Sequence, residues 1–566
     1  MFQQDLAPLG SLTLSALVAL LPLATIFVLL GWLRVKAHWA GLASVAVAIV
    51  VAVAAFGMPP GLAVLSATEG AVYGLFPIMW IVFCAIWLYQ ITVVSGRFED
   101  LRAAFDMLSD DPRVQAIIIA FCFGGLLEAL AGFGAPVAIT GVMLMAVGFS
   151  PVRAAVVVLL ANTAPVAFGA IGTPIITAGA LTGISYHEIG AYVGRQTPLL
   201  AMFVPLLLVI LVDGKRGARQ TWPIALVVGV TFAVAQFLSS NFLSVELTDI
   251  VASLVGLLAA VIMLRVWTPE GGHEAAERLH ADRDHVTDGP DLTTGGTGSG
   301  SAPTRTVEQA PAQPETRLTS GRLAMAFFPY LLVIAVFTLA KLWGPVKDGL
   351  AATDAKIRWP GLDGHILTPA GKPLTSTLYT FQWFSSPGTL LLICGVITAL
   401  VYRVPITRAF REFVATAVKL RYSFLTVASV LALAYVMNLS GQTLTLGNWI
   451  AATGAFFAFL SPILGWLGTA VTGSDTSANA LFATLQQTAA QKAGIDPTLL
   501  VAANTSGGVV GKMISPQNLT IAATSVGILG RESDLFRKTV LWSVGLLLTL
   551  CVLVYLQSSV LAWMLP

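Results

Sequence analysis

Residues 161–174 read ANTAPVAFGAIGTP and residues 503–516 read ANTSGGVVGKMISP, two polar, Gly/Pro-broken stretches inside runs otherwise apolar enough to cross a bilayer. Such a break frees backbone N–H and C=O groups near the bilayer centre, where lipid offers them no partner. The half-helix that follows starts with partial positive charge and unpaired N–H groups, which suit a small anion. Thr173-Pro174 and Ser515-Pro516 fit that start: a hydroxyl cap, then a proline with no N–H to lose. Asn162, Thr163, Asn504 and Thr505 offer side-chain hydrogen bonds, and Gly172, Gln517 and Asn518 adjoin them.

Two further polar tips lie nearby in the chain. Residues 114–148 form two apolar arms around AGFGAP, and residues 456–490 form two around TGSDTSANA. The arms are too short for two comfortable crossings, which need roughly 20 residues each. Both segments therefore read as re-entrant hairpins whose tips reach mid-membrane. Gly132, Phe133, Gly134 and Ala135 of the first tip, with Ser474, Thr476, Ser477 and Asn479 of the second, join the candidate substrate site.

Ionisable groups inside a membrane are costly and tend to be functional. Glu128 precedes the first tip, Asp475 lies in the second, and Lys512 interrupts the second broken stretch. One reading has Lys512 meeting a substrate carboxylate while Glu128 or Asp475 takes up a coupling proton. The other is a static Asp475–Lys512 pair that stabilises the fold. Glu128 is the favoured proton carrier, because a neighbouring Lys512 would favour the ionised form of Asp475.

The elements that must position these groups follow from composition. The chain has 566 residues, 56% hydrophobic and 11% charged, with mean hydropathy +0.82; soluble chains carry about 25% charged residues. Apolar runs at 12–33, 39–56, 71–94, 221–238 and 541–556 reach or approach a bilayer-spanning length. This is a polytopic all-α membrane protein, and the lipid bilayer is its first partner. A net charge of +2 without a basic, aromatic-interleaved stripe argues against nucleic acid. The four cysteines lie in apolar segments without metal-like spacing, so neither metal nor cofactor is expected. The N-terminus lacks the marks of a cleaved signal, so 12–33 reads as a retained first span. There is no P-loop and no convincing nucleophile–base arrangement. An enzyme is not expected, and an intramembrane enzyme or a channel is the rival class.

Sliding the chain by 342 residues (504 − 162) also brings Gly169 onto Gly511 and Pro174 onto Pro516. Residues 1–213 and 321–566 read as two repeats, with broken helices at 152–184 and 494–529. Residues 214–267 supply two connecting spans, and the polar 268–320 reads as a disordered cytoplasmic linker. Residues 344–387, with Trp359, Phe381 and Trp383, read as an ordered external loop. The Lys and Arg placement puts the N-terminus outside. Five crossings per half, an odd number, make the repeats inverted, as in many secondary transporters. The expected total is about 12 spanning helices plus two hairpins.

LEALAGFGAPVAI, ANTAPVAFGAIGTP, GSDTSANALF and ANTSGGVVGKMISPQN together resemble the signature segments of the L-lactate permease family, over nearly the whole chain except 268–320. The resemblance implies uptake of L-lactate, often with D-lactate and glycolate, coupled to protons across a bacterial inner membrane. It implies a small 2-hydroxy monocarboxylate substrate and H⁺ as the coupling ion, and a homodimer is compatible with it. Related dicarboxylate–sodium symporters carry Ser-Asn-Thr in their tips. The Gly132–Pro136 tip here lacks it, which favours protons, with a sodium-coupled small-carboxylate transporter as the alternative.

Overall fold

In lipid, a helix satisfies its own backbone polar groups, so each apolar run has one economical conformation. The computed structural model describes residues 1–132, 134–287, 319–374 and 377–566. Among them, ten helices are long and apolar enough to cross a membrane, or eleven when Pro151–Ala161 and Val166–Thr182, bent by 64°, count as one span. The chain is an all-α multi-pass membrane protein. This count includes Pro112–Ala131, expected as a hairpin arm, and differs from the expected twelve spans for two further local reasons. Pro387–Val401 is a helix but a short one, and Tyr186–Leu243 is a single run of 58 residues by that measure.

That run is in fact folded on itself. Asp213 and Gly214 leave helical geometry, with Gly214 at φ 64° and ψ −152°, a region that only glycine enters without strain. Gly229 then packs onto the Met202 backbone, and Gly194 packs against Ser240. The partner numbers rise on one side as they fall on the other, so the two helices are antiparallel.

Two helix pairs flank the polar tips: Pro112–Ala131 with Ala135–Val147, and Phe457–Thr472 with Asp475–Ala493. The base of the first pair is tied to the 213 turn by Arg113 Nη1–Asp213 Oδ2 at 3.3 Å. The base of the second is tied to the 182–188 turn, where Gln487 Nε2 donates to the Thr182 carbonyl at 2.9 Å and Thr498 Oγ1 donates to Glu188 Oε1 at 3.1 Å. Residues 186–212 connect those two turns, so the pairs enter the bundle from opposite ends.

The described residues of the loop 344–387 are ordered. Its Ala355–Arg358 and Leu378–Phe381 strands pair antiparallel, and Ile366–Leu367 pairs in parallel with Phe2–Gln3. The N-terminus and this loop thus share one face. Tyr379 Oη donates to the Phe76 carbonyl at 2.8 Å, fastening the loop to the bundle.

The described part of the expected linker, 268–287, departs from that reading, because Gly272–Thr287 is helical. Composition averaged over the stretch hides a short amphipathic segment, whose Ala275 and Leu279 are buried. Arg278 pairs with Asp213 at 3.1 Å, Arg216 pairs with Glu274, and Arg113 Nη2 donates to the Glu270 carbonyl at 2.7 Å. Residues 288–318 of the expected linker lie outside the described residues, as does Phe133.

Candidate functional site

The first broken helix stops at Asn162, turns through Val166–Phe168 and resumes near Thr173. Ala170, Ile171 and Gly172 sit at φ 46°, 59° and 70°. For Ala and Ile the left-handed region costs roughly 1–2 kcal/mol each, so surrounding contacts must hold this turn. Thr173 does not act as the expected cap. Its Oγ1 donates back to the Ala170 carbonyl at 2.5 Å, closing the turn instead.

The second break follows the expected chemistry. Pro497–Gly511 gives way to a turn at Lys512–Ile514, then Pro516–Ser525 begins. Ser515 Oγ accepts from the Asn518 backbone N–H at 3.3 Å and donates to the Lys512 carbonyl at 2.9 Å. Asn518 Nδ2 donates to the same carbonyl at 3.2 Å and to Ser515 Oγ at 2.8 Å. Ser515 and Asn518 therefore hold the break that carries Lys512.

The two tips and two breaks meet. Glu128 and Gly132 from the first pair face Val166, Gly169, Ala170 and Pro174 of the first break across a cleft. The second tip closes the same cleft with Gly473, Ser474, Asp475 and Thr476, and Lys512 completes it. The cleft is tight, with about 40 Å³ of free volume, and it is open on one side. An adjoining recess, too tight to admit a water molecule, is lined by Asn162, Thr163, Lys512, Met513 and Asn518. Ser474 Oγ accepts from the Ser477 N–H at 3.3 Å, so that hydroxyl caps its helix at the edge of the cleft.

Lys512 Nζ lies 2.6 Å from Glu128 Oε1, both groups buried. This corrects the expected partner, and with it the reason for preferring Glu128 to Asp475 as proton carrier: Lys512 pairs with Glu128 across the two halves, not with Asp475. Asp475 Oδ1 accepts from Thr469 Oγ1 at 3.4 Å, while its Oδ2 has no hydrogen-bond partner. Glu128 Oε2 and Asn162 Oδ1 are buried without partners too. Buried acceptors left unpaired cost about 1–3 kcal/mol each, which is tolerable where a ligand or proton will use them.

Several expected site residues point elsewhere. Asn504 Nδ2 and Thr505 Oγ1 each donate to Asn479 Oδ1 at 3.0 Å. Gln486 Nε2 donates to Asn504 Oδ1 at 3.2 Å and to the Ser461 carbonyl at 2.9 Å. Asn479, Asn504 and Thr505 thus pin the second hairpin to the second broken helix and do not line the cleft. Gly134 packs against Ile521, Gly172 against Val245, and Gln517 against Gly473. Ala135 and Ser477 flank the tips without lining the cleft.

Two residues escaped the sequence reading. Gly508 lies so close to Asp475 Oδ1 and Thr469 Oγ1 that any side chain would strike both. Asp249, only 1% exposed, sits on the connecting helix Thr248–Val266 within electrostatic range of Glu128 and Lys512. Its place at the start of an apolar run reads in sequence as a surface acid at a helix N-terminus, so no signal marked its burial.

Comparison with known proteins places the chain in a family. The family model described as L-lactate permease matches residues 15–561. The chain is 42% identical to the L-lactate permease of Bacillus subtilis, covering 98% of both chains. It is 42% identical to the glycolate permease GlcA of Escherichia coli, covering 99% of this chain and 98% of that one. To the Escherichia coli L-lactate permease it is 41% identical over 100% of each. Among solved structures, it is similar to the Alcanivorax borkumensis YdaH transporter, 15% identical, with a TM-score of 0.46 over 89% of both chains. With its polar tips and interrupted helices set inside a nearly full-length match, the chain belongs to the L-lactate permease family.

Proposed function

We propose that this transporter imports L-lactate, with D-lactate and glycolate, by proton symport across a bacterial cytoplasmic membrane. The observation that carries the reading is the buried Lys512–Glu128 pair in the cleft. A substrate carboxylate needs the Lys512 ammonium, and ionised Glu128 already holds it. Protonating Glu128 removes the competing charge and frees Lys512, so the proton loads first and the anion follows. The substrate's carboxylate then meets Lys512, and its 2-hydroxyl has Ser474 in the cleft or Asn162 and Thr163 in the adjoining recess as partners. On unloading, Glu128 loses its proton and recaptures Lys512, which expels the anion.

The opposite entry of the two helix pairs supports inverted repeats as the working frame, with each tip approached from its own side. Names of relatives support the substrate class: two are L-lactate permeases and one is a glycolate permease.

Reconstituted protein should accumulate labelled lactate when the outside is acidified, compete with glycolate, and ignore succinate. Glu128→Gln and Asp475→Asn are the paired test. If both variants still accumulate lactate against its gradient at acid outside pH, proton coupling through the tips is wrong. Sodium replaced by choline during uptake tests the sodium-coupled alternative, and uptake that collapses in choline would establish it.

A further inference from the structure

The connecting helices lie outside both halves, yet one of them brings a third carboxyl to the charge pair. The helix containing Glu128 packs antiparallel on Thr248–Val266. A side-chain carbon on Gly256 would stand 3.7 Å from Cys122 Sγ, and one on Gly125 would stand 2.6 Å from Ser253 Oγ. Three residues up one helix match three down the other, so the next turn sets Glu128 level with Ile250, one residue from Asp249, on which its charge acts.

The surroundings of Asp249 are short of donors. Oδ1 accepts from Gln236 Nε2 at 3.2 Å, and the same amide nitrogen donates to the Ala164 carbonyl of the first break at 3.1 Å. Asp249 Oδ2, Gln236 Oε1 and Glu128 Oε2 are all buried acceptors without a partner. Ser253 Oγ, one turn on, is the unpartnered hydroxyl beside them. The charged groups facing Asp249 are Glu128 from the first hairpin and Lys512 from the second break. Glu246, just before its own helix, is engaged with Tyr186 Oη at 3.0 Å and Ser244 Oγ at 2.6 Å. Two ionised carboxyls against one ammonium would leave a net buried negative charge, which is strongly unfavourable. One proton removes that charge and supplies an O–H donor to a neighbouring acceptor.

We propose that Asp249 is the proton-holding partner of Glu128, a relay on the connecting helix that delivers the coupling proton. This rests on the proton-symport reading above. In the unloaded carrier Asp249 is protonated while Glu128 is ionised on Lys512. The Asp249 Oδ2–H bond breaks and a Glu128 Oε2–H bond forms, which frees Lys512 for the substrate carboxylate. The electron pair stays on Asp249, which is reloaded by a proton from the water on the substrate's side. Gln236 positions Asp249 and ties it to the first break, so that the transfer feels the conformation of that break.

The test uses the full chain in proteoliposomes. Asp249→Asn should lose acid-driven lactate accumulation and flatten the pH profile of uptake, while counterflow between loaded states continues. Asp249→Glu, which keeps a titrating group, should restore both accumulation and the profile. Lactate-induced infrared difference spectra of the wild type should show a protonated-carboxyl band that moves in Asp249→Glu. This measurement stands even if Asp249→Asn fails to fold. An Asp249→Asn carrier that accumulates lactate with the wild-type pH profile overturns the proposal, as does a wild type without the band. Were wild-type accumulation to follow sodium and not the pH gradient, the symport reading itself would fall. A wild type that is proton-driven with a silent Asp249 removes only the relay.

Discussion

Lys512 is the residue on which the proposed cycle turns, because Glu128 and the substrate want the same ammonium. Lys512→Gln keeps a donor and comparable length but removes the charge. A charge-assisted, desolvated contact is worth roughly 1.5–3 kcal/mol, so the apparent KM for lactate should rise about tenfold to a hundredfold. Uptake by a folded Lys512→Gln carrier with unchanged KM would return the pair to a purely structural role. Glu128→Gln imitates the protonated acid permanently. The wild type should bind lactate less well as pH rises, since ionised Glu128 recaptures Lys512. Glu128→Gln should lose that alkaline decline, and binding measured across pH in detergent checks it. A wild-type-like decline in the variant would show that Glu128 is not the competitor.

At the scale of the elements, close packing sets where the second tip stands. A methyl on Gly508 would strike Asp475 and Thr469, so Gly508→Ala should displace that tip and impair lactate uptake while the fold persists. Gly545→Ala is the control: nothing lies within 4 Å of the added methyl, and alanine is the better helix former by up to about 1 kcal/mol. Uptake by Gly508→Ala equal to that of Gly545→Ala would mean the tip tolerates the shift. This packing also explains what could be read without coordinates. The broken helices and tips were legible because Gly, Pro and Ser act locally, as Ser515-Pro516 does at its cap. Thr173 looked the same and behaved otherwise, since the left-handed turn at Ala170 and Ile171 puts a carbonyl within its reach. The partner of Lys512 was not legible, because it depends on which faces of distant helices meet. Asn479, Asn504 and Thr505 misled for a similar reason: a polar side chain in a buried helix can serve a neighbour as readily as a ligand. Asp249 was hidden by its position, where a helix start and a membrane surface look alike.

The whole molecule is organised around two ends. Arg113, fully buried, joins the base of the first pair to Asp213, to Gln220 at 2.6 Å and to the Glu270 carbonyl. The second pair is based at the other end, on the 182–188 turn. Single cysteines at Ser109 and Lys492 should accordingly label from opposite sides of a sealed membrane. Labelling of both from one side would break the inverted frame. Replacing Arg113 by Met should loosen the Gly272–Thr287 helix, because three of that hub's acceptors lose their guanidinium together. Faster proteolysis near residue 280 would reveal it, and unchanged protection would mean Arg216 and Arg278 suffice.

The Glu128–Lys512 bond also has a consequence for how the protein is made. Its ends are 384 residues apart in the chain. At about 5–20 residues per second, a ribosome needs on the order of tens of seconds to travel between them. During that interval the first half sits in the bilayer with Glu128 facing no ammonium, later joined by Asp249 of the connecting helix, and both must stay protonated or find water. A nascent chain stalled before residue 512 would keep that exposed acidity for good, which makes it a natural mark for membrane surveillance proteases.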